Sequence, residues 1–122
     1  MRARAVGTLA KGRAAEDRVD TAARRRGWRA VVRNHNARGG ELDLVYRTGD
    51  ELIVVEVRYR SRGDYGSAAA SVTARKQRRI VTATRDLLAR QPDLARCAIR
   101  FDVVGVDDSD QLDWIENAFY AE

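Results

Sequence analysis

The sequence predicts an α/β fold in which an antiparallel meander of strands lies between two helices, with two more strands closing the chain. Apolar residues recur at helical spacing over residues 8–26 and 73–90. Between and after these stretches, apolar and polar residues alternate with period two, the mark of half-buried strands. A Gly49-Asp50 dipeptide separates two such runs, as in a tight hairpin.

Residues 1–6 read as a frayed basic arm. In the first helix Leu9, Ala15, Val19, Ala22 and Ala23 form the apolar stripe, and Gly27 is the stop. Its polar side carries Arg13, Glu16, Asp17 and Asp20; Glu16 faces either a site or water. Residues 28–34 form a first strand, followed by a turn-rich connection over 34–40. That connection holds His35, the single histidine, to which the sequence assigns no role.

The hairpin over residues 40–60 is the most informative stretch. With Gly49 and Asp50 as a two-residue turn, Thr48 lies opposite Glu51. Leu42, Leu44 and Tyr46 then oppose Val57, Val55 and Ile53 on one apolar face. On the other face Asp43 meets Glu56 and Glu41 meets Arg58. A slip of one residue would pair polar with apolar positions throughout, so the register is self-consistent. It sets two carboxylates side by side, with Cβ atoms roughly 4.5–5.5 Å apart, an arrangement that costs stability unless something positive lies between them. Mg²⁺ or Mn²⁺ suits a pair of hard oxygen donors. The competing reading is a set of hairpin charges facing water, with Glu41–Arg58 a surface ion pair of little worth.

Residues 61–70 form a Gly-, Ser- and Ala-rich loop flanked by Arg60 and containing Arg62 and Tyr65, either a grip on a phosphate backbone or an ordinary connection. Thr73 is a good N-cap for the second helix. Ile80, Val81, Leu87 and Leu88 line its buried stripe with Thr84, and Gln77 sits at the N-terminal end of it, either reaching the site or marking its edge. Arg75, Lys76, Arg78 and Arg79 crowd the first turns, where cations oppose the helix dipole. A phosphate or the acidic C-terminal segment would compensate them; a solvated basic face is the commoner reading of such a run. Pro92 ends the helix. Strands over 98–106 and 112–119 follow, joined by a turn at 107–110.

The chain of 122 residues is one domain, with no internal repeat or linker. No apolar run approaches the ~18 residues that span a bilayer, and no signal peptide is evident, so a cytoplasmic location is expected. Cys97 is alone and excludes a disulfide framework; a single histidine speaks against a zinc enzyme. No P-loop, dinucleotide fingerprint or Ser-His-Asp material is present. The first 30 residues carry nine bases against three acids, whereas the last 22 carry seven acids and no base. A basic body with an acidic end suits a polyanion partner. An arginine-rich composition, with Lys11 and Lys76 the only lysines, accounts for the same charge without one.

The order helix, meander, helix, strand, strand, together with Glu16, Asp43 and Glu56-Val57-Arg58, resembles the restriction-endonuclease-like nucleases, including the Holliday-junction resolvases. Across nearly the whole chain the sequence resembles the uncharacterised bacterial UPF0102 (YraN-like) family. Its matching stretches are Gly39-Gly40-Glu41-Leu42-Asp43-Leu44, Val54-Val55-Glu56-Val57-Arg58-Tyr59-Arg60, Lys76-Gln77, Arg100-Phe101-Asp102-Val103-Val104 and Asn117-Ala118-Phe119. The resemblance implies a central mixed sheet flanked by helices and metal-dependent hydrolysis of phosphodiester bonds, with DNA, branched or otherwise structured, as substrate. Asp43 and Glu56 would hold Mg²⁺ or Mn²⁺, Glu16 would support the metal, Gln77 would orient the group and Glu41 would be an auxiliary acid. Arg60, Arg62, Arg75, Lys76, Arg78 and Arg79 would contact nucleic acid, and resolvase-like chemistry would favour a homodimer. The chain departs from the nuclease signature at Arg58, where a lysine is usual. Arginine stays charged and cannot accept a proton, but it can clamp a phosphate. A non-catalytic nucleic-acid-binding module is therefore the alternative, and a protein-interaction domain using the acidic segment is a third.

Overall fold

The computed structural model describes residues 2–61 and 66–121. In chain order they form helix α1 (Arg2–Arg25) and strands β1 (Arg29–Ala37), β2 (Gly40–Thr48) and β3 (Glu51–Tyr59). A 3₁₀ turn (Ala69–Ser71), helix α2 (Ala74–Arg90) and a second 3₁₀ turn (Pro92–Arg96) lead to strands β4 (Ala98–Val106) and β5 (Leu112–Phe119). The strands make one sheet in the order β1-β2-β3-β4-β5. Neighbours are antiparallel except β3 and β4, which run parallel and are joined by the crossover through α2.

The two helices cover opposite faces. Ala15, Val19 and Ala23 of α1 pack on Leu44, Tyr46, Ile53, Val55, Val104 and Val106. Ile80, Ala83 and Leu87 of α2 pack on Leu42, Val45, Leu52, Val54, Phe101 and Val103. Residues 52–56 of β3 are all buried, as expected of a central strand covered on both sides. Thr73 caps α2 by accepting from the Lys76 amide at 3.1 Å. Gly40 lets α2 lie close: a Cβ there would overlap the Arg79 carbonyl. No helix among the described residues is long and apolar enough to cross a membrane.

Three expectations are corrected. Helix α1 begins at Arg2, so residues 2–6 are helical instead of a frayed arm. Strand β1 runs on to Ala37, through the stretch expected to be a connection, and half-buried His35 meets Asp86 on α2 at 2.9 Å. The hairpin keeps its derived register from Thr48–Glu51 to Leu44–Val55, but the ladder stops there. Leu42 packs with Val45 on the α2 face, not with Leu44 and Tyr46, so alternation breaks at Asp43. The cause lies across the strand: Asn34, between the pairs Arg33–Leu44 and His35–Leu42, has φ 54°. An Asn tolerates that left-handed backbone, which turns the strand locally.

Asp102 is wholly buried on β4, and its carboxylate is fully used. Arg100 donates to both oxygens at 2.9 Å, Trp114 Nε1 donates at 2.9 Å and the Asn117 amide at 3.2 Å. This bracket holds the irregular pairing of β4 with β5, where Asn117 has φ 51°. Asp102→Asn keeps the shape but removes the charge that neutralises Arg100. It is expected to cost about 2 kcal/mol, read as a lower urea midpoint with an unchanged slope.

Candidate active site

Where β2 and β3 part, side chains replace the backbone ladder. The Val57 amide donates to Asp43 Oδ2 at 2.9 Å, two residues past the last β2–β3 pair, Leu44–Val55. Asp43 is thereby fixed beside Glu56, within electrostatic reach of it. Glu56 is only 4% exposed. Burial, then the adjacent Asp43 charge, pushes its pKa up to about 8. At neutral pH, with no cation between them, the pair holds a proton.

Two cations approach this pair. Lys76 Nζ lies 3.6 Å from Glu56 Oε2, and Arg58 Nη1 lies 3.7 Å from the same oxygen. Both pull the Glu56 pKa down without cancelling burial and Asp43. Arg58 does not pair with Glu41, as the full hairpin register had implied. Its Nε donates to Ser71 Oγ at 3.2 Å and its Nη2 to the Ser71 carbonyl at 3.5 Å, which ties it to the 3₁₀ turn before α2. Glu41 is exposed, and its backbone position pairs with Asn36 of β1.

The other expected site residues lie around this centre. Glu16 on α1 is half-buried and within electrostatic reach of Asp43; burial and Asp43 raise its pKa. Its Oε1 accepts from Arg33 Nε at 3.3 Å. Gln77 Nε2 donates to the Val72 carbonyl at 3.1 Å, fastening the start of α2. The Arg60 guanidinium donates to the Ser67 and Gly66 carbonyls at 2.8 and 3.1 Å. Arg62 and Tyr65 lie outside the described residues. Arg75, Arg78 and Arg79 are exposed and have no acidic partner among the described residues. The acidic segment does not compensate them: the Asp107 and Ser109 carbonyls accept from Arg18 of α1, and Asp108 accepts from Tyr59.

Lys76 is the residue whose place sequence reasoning missed. It had been grouped with its basic neighbours, yet the signal was present. Lys76, Ile80, Ala83 and Leu87 fall at i, i+4, i+7 and i+11, the sheet-facing stripe of α2.

The donor set suits a hard divalent ion of the Mg²⁺ type, which is commonly held by one or two carboxylates, with water and substrate phosphate completing the shell. Asp43 and Glu56 are two such donors, one half-buried and one buried, held so close that Glu56 keeps its proton at neutral pH. No group of three His, Cys, Asp or Glu side chains among the described residues closes on one point.

A mixed five-stranded sheet between two helices, with a carboxylate pair where the hairpin gives way to the parallel strands, defines an α/β domain with a polar site on its central strands. The chain belongs to the uncharacterised protein family UPF0102, whose family model matches residues 15–106. It is 51% identical over 115 residues to a UPF0102 protein of Dechloromonas aromatica, covering 94% of this chain and 92% of that one. A UPF0102 protein of Cupriavidus taiwanensis is 48% identical, with 93% and 85% covered. One from Aeromonas hydrophila is 46% identical, with 89% and 84% covered.

Proposed function

We propose that the chain is a Mg²⁺- or Mn²⁺-dependent endonuclease that hydrolyses phosphodiester bonds of DNA, with branched or otherwise structured DNA as its substrate. The pairing of half-buried Asp43 with buried Glu56 carries this reading. Its repulsion is a standing cost to the fold that a bound cation would relieve, and its two cationic neighbours are placed to meet a phosphate. The layout of helix, meander, crossover helix and two strands agrees with that expected of restriction-endonuclease-like nucleases.

When bound, the ion supplies Lewis acidity toward a phosphoryl oxygen and an activated water. The rest falls to the chain. Asp43 and Glu56 hold the ion, and the Val57 amide fixes the Asp43 carboxylate. Lys76 and Arg58 stand where negative charge grows on the phosphate. Lys76 takes the place left open by arginine at position 58, and its flexible ammonium can leave Glu56 for a phosphate oxygen. Arg58, tied to Ser71, clamps without moving. Lys76→Gln is expected to lower cleavage by roughly ten- to a hundredfold and Lys76→Arg by less, measured as kcat/KM on labelled DNA. Loss of Lys76 also pushes the Glu56 pKa further up, so Mn²⁺ affinity below about pH 8 falls with it.

Calorimetric titration with Mn²⁺, comparing the parent with Asp43→Asn, tests the site before any substrate is needed. The parent should bind and release a proton near neutral pH, seen as a dependence of the heat on the buffer. The variant should not bind. Equal heats from both proteins would remove the metal site. A second reading, binding of nucleic acid without cleavage, draws on Arg58, whose guanidinium stays protonated and cannot serve as a base. It predicts salt-dependent binding and intact DNA after incubation with either ion.

A further inference from the structure

A groove of about 670 Å³ runs between α2 and the end of β5, lined by Gln77, Arg78, Val81, Arg85, Phe119 and Tyr120. Its positive charge is uncompensated, as at several exposed arginines elsewhere on the described surface. Arg18, Arg24, Arg33, Arg58, Arg90 and Arg100 are each held by an acid or a carbonyl. Arg78 and Arg85 have no such partner among the described residues, nor do Arg75 and Arg79 on the same helix. Arg78 and Arg85 are seven residues apart, so they point nearly the same way along a helix about 10 Å apart. The uncompensated arginines fit a chain of phosphates.

The second observation is Tyr120. It is 72% exposed, and Ile99, at 39%, is the other exposed large hydrophobic among the described residues. No aromatic or cation–π contact occupies its ring among the described residues. Phe119 beside it is buried and stacked on Phe101 at 4.9 Å between ring centroids, so the backbone under Tyr120 is anchored while its ring is not. An anchored, open aromatic ring beside unpaired arginines can receive an unpaired base. Paired bases present no free face to such a ring.

We infer that this groove binds a single-stranded segment of nucleic acid, with Arg78 and Arg85 on successive phosphates and a base stacked on Tyr120. The inference rests on the nucleic-acid reading of the site and specifies the substrate as one with an unpaired strand beside the scissile bond. Gln77 lines the groove one residue from Lys76, whose ammonium lies 3.6 Å from Glu56.

The test is fluorescence anisotropy in EDTA with a short labelled oligothymidine and an abasic oligomer of the same length. Tyr120→Ala should weaken oligothymidine binding about five- to tenfold, leave the abasic oligomer unchanged, and be rescued by Tyr120→Phe. Arg78→Gln with Arg85→Gln should weaken both oligomers and flatten the salt dependence. Equal binding of oligothymidine by the parent and Tyr120→Ala would overturn the inference. So would displacement of the oligomer by polyglutamate of equal charge, which would make an acidic protein the better occupant. With no divalent ion present, the two readings separate. A protein that binds in this way but never cleaves DNA removes the hydrolase and keeps the groove. One that cleaves while Tyr120→Ala binds like the parent keeps the hydrolase and removes the groove.

Discussion

Asp43→Asn is expected to lower Mg²⁺-dependent cleavage of labelled branched DNA by roughly a hundred- to a thousandfold, because metal assistance supplies several kcal/mol of transition-state stabilisation and each ~1.4 kcal/mol is tenfold in rate. Asparagine keeps an oxygen able to accept from the Val57 amide, which Asp43 Oδ2 does at 2.9 Å. The strand junction should therefore survive, and the thermal midpoint should stay at or above that of the parent. What is lost is one negative charge from the pair, and with it most of the attraction for a divalent ion. Glu56→Gln should behave in the same way. Cleavage that persists at the parent rate in both variants would show that the pair is not where hydrolysis happens. A loss of cleavage accompanied by unfolding would say nothing of chemistry, so the melting curve belongs to the same experiment.

The hairpin was legible in the sequence because period-two alternation admits one register, and Thr48–Glu51 to Leu44–Val55 pair as derived. Helix α2 was legible through its cap, the proline after it and its regular spacing, and strands β4 and β5 through their alternation. The end of the hairpin was not. Its course past Val55 depends on β3 pairing with β4, which lies across the α2 crossover and leaves no mark in the local pattern. The turn at Asn34 was invisible too, since Asn occurs at many positions with ordinary backbone. For that reason Leu42 was placed on the wrong face and Arg58 was given Glu41 as partner in place of Glu56 and Ser71. The nearness of Asp43 to Glu56 was nonetheless correct, for a reason only partly foreseen. The two carboxyls meet because a side chain fills the gap in the ladder, not because the ladder continues. The approach of Lys76 follows from the docking of α2 over Gly40, a contact between segments far apart in the chain.

The carboxylate pair should also leave its mark on stability, with no substrate present. The Glu56 pKa is raised from 4.5 to about 8 in the fold, by burial first and Asp43 second. Between those two values the native state holds a proton that the unfolded chain has released. Stability therefore falls as pH rises through that window and levels off above about 8, the reverse of the usual behaviour of a salt-bridged carboxylate. Full conversion of the shift would approach 5 kcal/mol at ~1.36 kcal/mol per unit, and sharing of the proton with Asp43 reduces it, so about 3 kcal/mol is expected. Glu56→Gln removes the titration while nearly keeping the shape of the side chain. In metal-free buffer the variant should be more stable than the parent by about 3 kcal/mol at alkaline pH, and the two should converge below about pH 4.5, where Glu56 is protonated in both the folded and the unfolded parent. Saturating Mg²⁺ or Mn²⁺ should close the gap from the other side, stabilising the parent and leaving the variant where it was. Urea melts across this pH range, with and without the ion, measure all three effects. Parallel pH profiles for parent and variant would mean that Glu56 is already relieved by Lys76 and Arg58, and that the fold holds no repulsion for a cation to cancel.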